Sequence, residues 1–425
     1  MIHRECLGER KGTVMAFADR IELDELQRQL FDEMAKMRII DAHEHLWPEK
    51  ERLAKTFDWA WLLQGYLVGD LASAGLSRSV DPLDNNLTAR QKWEKIKPYW
   101  NAVKWGTYAR GLRLSLKEWF GVDDITDENF EEIGRKLNEN NRPGFYREAL
   151  GKKCNIERVI VCQQSWKGFE DDLLRVIVFL PKLNTHADLE YYEKFIGRPM
   201  RTPKQVLAAL EKFVADAVEA GVVGFKTSAA PMGAYDRAGA QRLLVRVIRG
   251  ESLTAAERPT MNRFLHEIAL RIIHRTGKPV AVHCGVWGDF RELDVMNFFE
   301  TMQRFGEMHF DLFHMGVPSV REMAFVGKNL PNVSLNLCWC PLVSQHMMEN
   351  GLQEYIDIVP TSKFIAFGGD YHWNPELTWG HLQMCRESLA RVFAARIRRG
   401  MIDFDGSVAV LKAWLYDNPK RIYGI

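Results

Sequence analysis

Short apolar runs alternate with longer helical stretches through most of this chain, and that alternation limits its fold more than any other feature. The runs cover residues 156–162, 174–180, 222–226, 279–283, 309–314, 333–338 and 363–369, and an earlier run at 38–43 makes eight. Runs that are apolar at nearly every position, rather than at every second one, read as strands buried on both faces. The stretches between them carry helix signals. Residues 203–220 have Pro203 in the first turn and Gly221 as a stop, a helical stretch begins near Arg237, and 259–276 ends at Gly277. Strands joined by helical crossovers give a parallel sheet of the α/β class. Eight such units predict a (β/α)8 barrel. An open doubly wound sheet is the alternative. It would carry a glycine-rich phosphate loop after its first strand, where this chain has Asp41-Ala42-His43-Glu44-His45.

The ends of the runs carry the chemistry. Residues two apart on a strand share a face, so at roughly 3.3 Å per residue His43 and His45 would present imidazoles about 6–7 Å apart on one side. That spacing suits a shared divalent metal ion. Lys226, His283, His314 and Asp370 end four later runs. In a (β/α)8 barrel the active site lies at the carboxyl ends of the strands, so these residues would converge. His266, His274, His309, His346 and His381 fall in helices or at strand starts and read as structural. His372, two residues after Asp370, sits where it can meet substrate or close the loop.

Three regions are expected: a helical extension over 1–37, a barrel over 38–425, and within it a helical insertion over 47–150. Residues 19–36 read as an amphipathic helix that caps the barrel bottom or packs on a neighbouring copy, which leaves a homo-oligomer open. The insertion is rich in tryptophan and tyrosine. Most of these rings would form its own small core. One or two of them, with Arg110 or Arg113, would face the substrate, because the segment leaves the chain directly after His45.

Composition excludes several classes. The net charge of +1 gives no global field for nucleic acid or for an acidic membrane surface. No segment approaches the roughly 18 consecutive apolar residues of a membrane span, and residues 1–20 lack an apolar signal core. The seven cysteines include no CxxC pair and read as reduced thiols of a cytoplasmic protein. A small-molecule substrate is the remaining expectation.

The stretches DAHEHLW, KTSAAP, VHCG, FHMG, FGGDYHW and DNPKRIYGI together resemble the amidohydrolase superfamily, nearest to its amidohydrolase 2 branch. The insertion, with WAWLLQGYLVGDLASAGL and KEWFGVDD, is more faintly similar to uronate isomerases. The resemblance implies that His43, His45, His283 and Asp370 hold a divalent metal, with Zn2+ the default and manganese or iron the alternatives. It implies that Asp370 handles the proton of a bound water and that His314 either hydrogen-bonds water or substrate or serves a second ion. Lys226 stands where two-metal relatives place a carboxylated lysine. Here the isomerase-like insertion favours one ion and an uncarboxylated Lys226 facing the substrate, with Arg113 and His372 as further substrate contacts. The implied reaction is hydrolysis of an amide, ester or lactone of a small, carboxylate-bearing substrate. Sugar-acid isomerisation and metal-dependent decarboxylation are the rival reactions, and a non-catalytic binding protein with a decayed metal site is a further rival.

Overall fold

The computed structural model describes residues 22–425 except 64, 170, 171, 287 and 288. Its strands are β1 (Ile39–Glu44), β2 (Ile156–Gln163), β3 (Leu174–Phe179), β4 (Gly224–Ser228), β5 (Val280–His283), β6 (Phe310–Phe313), β7 (Val333–Asn336) and β8 (Phe364–Ile365). They form one parallel sheet in sequence order, β1 to β8. Crossover helices cover the outside, which is why the strands are apolar at nearly every position. The result is a nearly closed (β/α)8 barrel, as the alternation predicts.

The eighth strand departs from expectation. Only Phe364 and Ile365 pair with β7, although the apolar run extends to 369. Beyond Ile365 the chain turns along β1 instead. Ala42 N donates to Phe367 O (3.0 Å), Asp370 N to His43 O (2.8 Å) and His45 N to Tyr371 O (2.8 Å). These bonds draw the two ends of the sheet together. A regular strand is impossible here because Asp370 adopts φ 65°. At Gly369 an added Cβ would overlap the Glu44 carboxylate, so the close approach requires glycine.

The first described helix spans Glu25–Lys36. It starts later than the amphipathic pattern suggests because Asp24 caps it, with Gln27 returning the bond. Positions 19–21 of the expected helix lie outside the described residues. At the amino-terminal end of the barrel, the buried Asp311 accepts hydrogen bonds from Ser334 (2.7 Å), Asn336 (2.8 Å) and the Tyr423 hydroxyl (2.7 Å). Among the described residues no helix is long and apolar enough to cross a membrane.

Between β1 and β2 the chain forms helices and turns with an aromatic core. Trp59 packs edge-on against Trp93 (5.1 Å between centroids), and Phe130 stacks on Trp93 (5.8 Å). The segment is fastened to the helix Pro375–Arg398, which follows β8. Arg52 pairs with Glu376 at 2.7 Å, both buried. Asn374 Nδ2 donates to Trp61 O (2.7 Å), and Trp119 Nε1 donates to Glu376 O (3.0 Å). The helix Thr107–Phe120 crosses this helix so closely that a Cβ at Gly380 would overlap the carbonyl of Gly111.

Candidate metal centre

Six expected residues meet at the carboxyl ends of the strands. His43 lies in β1 and His45 just beyond it. Lys226 lies in β4, His283 ends β5, and His314 follows β6. Asp370 enters from the turn after β8. Its Oδ1 lies 3.4 Å from His43 Nε2 and 3.3 Å from His45 Nε2. Zinc bonds of about 2.0–2.2 Å in a tetrahedron set neighbouring donors roughly 3.3–3.6 Å apart. Both Asp370–histidine separations therefore fit donors shared by one divalent ion.

The outer ring nitrogens of His45, His314 and His283 are held by backbone carbonyls, while the buried His43 Nδ1 meets no partner among the described residues. His45 Nδ1 lies 3.0 Å from Cys162 O, which fixes its proton there and leaves the Nε2 lone pair toward Asp370. His314 Nδ1 lies 2.9 Å from Cys338 O, and His283 Nε2 lies 3.1 Å from Gly285 O. With both protons on carbonyls, His314 Nε2 and His283 Nδ1 face each other at 3.2 Å as two acceptors. Burial pushes the His314 pKa down to about 4 and holds His283 well below its usual range, so a shared proton is disfavoured near neutrality. A divalent cation bound against these two nitrogens would resolve the conflict. Donor atoms of His314, Cys338 and Asp370 lie within 4.8 Å of one another, and so do those of His43, His45 and Cys162. Asp370 thus stands between the two imidazole pairs.

Lys226 is buried beneath this cluster. Its Nζ lies 3.4 Å from His43 Nε2 and 3.5 Å from the centre of the Phe313 ring. Burial lowers its pKa. His372 is exposed and stacks on His45, with 4.8 Å between ring centres and 9° between planes. Arg113 lies in the helix Thr107–Phe120, where its Nε donates to Asp123 O (2.9 Å) and its guanidinium covers Trp105 (4.9 Å). These contacts tie it to the segment between β1 and β2 rather than to the strand ends. Arg110 is engaged by Glu387 at 2.6 Å.

Several neighbours were not expected from the sequence. Tyr66, from the helix Tyr66–Ser73, donates its hydroxyl to the carbonyl of Asp370. Trp339 stands edge-on to His314 (5.5 Å) and packs on Tyr66 (3.9 Å). Asp41 Oδ1 accepts from Gly369 N (3.1 Å), while Glu44 accepts from Tyr371 N and from Thr378 Oγ1 (3.1 Å). The two strand-one carboxyls therefore grip the backbone on each side of Asp370. Burial raises the pKa of Asp41 to about 7 and of Glu44 well above the usual range. Asp370, His314, Met315 and Trp339 all have φ between 51° and 65°. Left-handed non-glycine residues cost on the order of 1–3 kcal/mol each and cluster at functional sites.

Comparison with known proteins gives a family and a fold. A family described as Amidohydrolase matches residues 182–425. The curated protein fluG of Emericella nidulans is 26% identical over 230 residues, covering 49% of this chain and 26% of that protein. The match thus spans about a quarter of the relative's length. Among solved structures, a uronate isomerase of Thermotoga maritima superimposes with a TM-score of 0.77 at 17% identity, covering 99% of this chain and 100% of that one. A glucuronate isomerase of Caulobacter crescentus gives 0.72 at 15% identity, with 96% of each chain covered. A putative metal-dependent hydrolase of Lactobacillus casei gives 0.67 at 15% identity, covering 93% of this chain and 97% of that one. At these identities the likeness is one of fold.

Proposed function

The chain belongs to the amidohydrolase family, and from that premise we propose that it is a metal-dependent hydrolase acting on an amide, ester or lactone bond of a small carboxylate-bearing substrate. One observation carries the reading: a single carboxylate oxygen of Asp370 lies 3.4 and 3.3 Å from the facing nitrogens of His43 and His45. These three residues, with His283 and His314 beside them, would hold one divalent ion, zinc being the first choice for imidazole and carboxylate donors. Such an ion supplies Lewis acidity and brings the pKa of water toward about 7.

The side chains divide the remaining work. Asp370 takes the proton of the attacking water through a carboxylate oxygen and delivers it to the leaving group. Its φ of 65° and the bonds at Gly369 N and Tyr371 N aim that oxygen. Lys226 uses its Nζ to orient the substrate's carbonyl or carboxylate oxygen, and stays uncarboxylated. Tyr66 and Trp339 exclude water from above the cluster.

Sugar-acid isomerisation is the second reading. The full-length likeness to the Thermotoga maritima uronate isomerase, which includes the segment between β1 and β2, favours it. Assaying the zinc-loaded protein on amides, esters and lactones beside uronates decides between them. Turnover confined to uronates would overturn the hydrolytic reading.

A further inference from the structure

The strand-end cluster is not equally open on all sides. Toward β6, β7 and β8 it is closed: His314, Met315, Trp339 and Tyr371 are buried, and Tyr66 packs on Trp339 and Tyr371. Toward β1 to β5 it is open: His45, Phe179, Ser228 and His283 keep accessible surface, and His372 is exposed. A substrate therefore reaches the histidines over the carboxyl ends of β1 to β5.

Ser228 stands in that opening with its hydroxyl uncommitted. It ends β4 two residues beyond Lys226, so the two share a face, with Ser228 roughly 6–7 Å further out along the strand. In the sheet Ser228 is in register with His283, as Lys226 is with Phe179. Side chains of residues paired in this way project to the same side. Ser228 thus looks into the mouth beside His283. Its neighbour Thr227 points the other way and is held by His266 Nε2 at 2.5 Å. Among the described residues the Ser228 hydroxyl takes part in no hydrogen bond. The arginines expected for a substrate carboxylate are engaged elsewhere, Arg113 by Asp123 O and Trp105 and Arg110 by Glu387.

We propose that Ser228 is a specificity-determining residue whose hydroxyl donates to the substrate's carboxylate, with the reacting carbonyl lying deeper, at the metal and Lys226. The proposal rests on the hydrolytic reading above and adds which group meets the carboxylate. Hydrogen bonds to an ionised acceptor are stronger than neutral ones. A carboxylate at the rim also keeps part of its hydration, so one neutral donor suffices where a buried anion would need a cation.

Succinate and acetate test the assignment by isothermal titration of the zinc-loaded protein. Either can place one carboxylate on the metal, but only succinate has a second for Ser228. Wild type should bind succinate more tightly than acetate. Ser228→Ala should weaken succinate by about tenfold or more, the worth of a hydrogen bond to a charged group, and leave acetate affinity and zinc content unchanged. Ser228→Thr, which keeps the hydroxyl, should retain most of the succinate affinity. Succinate binding no tighter than acetate in the wild type, undiminished succinate binding in Ser228→Ala, or equal loss of both ligands or of zinc in that variant would overturn the assignment. If the succinate results hold but no amide, ester or lactone is hydrolysed, Ser228 keeps its role and the hydrolytic reading fails.

Discussion

His314 Nε2 lies 3.2 Å from His283 Nδ1, while the opposite nitrogen of each ring faces a backbone carbonyl. Two neutral imidazoles held this way repel through their lone pairs, and burial opposes protonating either one near neutral pH. A divalent cation relieves the repulsion and ties binding to stability. Chelation followed by dialysis should lower the melting temperature by several degrees, and zinc should restore it. At a thousandfold excess over Kd the linkage amounts to about 4 kcal/mol. A melting curve indifferent to chelator would contradict this.

Lys226 decides between one ion and two. As a free ammonium it orients substrate, so Lys226→Ala should keep the metal and lose at least about a hundredfold in turnover, a typical contribution of electrostatic stabilisation. Were the side chain carboxylated and bridging, the same change would release one of two equivalents. Metal analysis and intact mass spectrometry separate the cases.

Glu44 touches no substrate in this account and acts by holding the turn that carries Asp370. Glu44→Ala leaves the Tyr371 N–H and the Thr378 hydroxyl unpaired in a buried place. Each orphaned group costs about 1–3 kcal/mol, and Asp370 is free to leave its left-handed conformation. The expected result is a fall in kcat with little change in KM, together with a lower denaturation midpoint. Unchanged kcat would show that Asp370 is held by other means.

Gly380 sets how closely the segment between β1 and β2 approaches the helix after β8. Gly380→Ala forces a methyl against the Gly111 carbonyl and the Ser115 side chain. Overpacking of this kind costs about 1–3 kcal/mol, and urea denaturation should show a loss in that range. Gly121→Ala is a suitable reference, since that glycine has open space around it and only its φ of 77° to strain.

The barrel and its strand-end residues were legible because both signals are local. Apolar runs mark buried strands, and a histidine or aspartate at the end of such a run is out of place in a core. Cys162 and Cys338 also end their runs, but a cysteine there is an ordinary core residue, so they carried no signal. The irregular close of the barrel was hidden because residues 363–369 read as one strand, and only backbone geometry shows the chain leaving β7 for β1. Tyr66 is separated from Asp370 by 304 positions, a pairing that no spacing rule reaches. Arg113 looked available for substrate because its partners, Asp123 O and Trp105, are a backbone group and a nearby ring that composition cannot pair.

The central claim is that His43, His45 and Asp370 hold one divalent ion. The direct measurement is metal content per chain, by plasma mass spectrometry after exhaustive dialysis, for the wild type, His43→Ala/His45→Ala and Asp370→Asn, each checked for folding by circular dichroism. The account predicts close to one equivalent in the wild type, almost none in the double variant and a sharply reduced content in Asp370→Asn, with the fold retained in all three. A folded double variant that keeps its full complement of metal would contradict it.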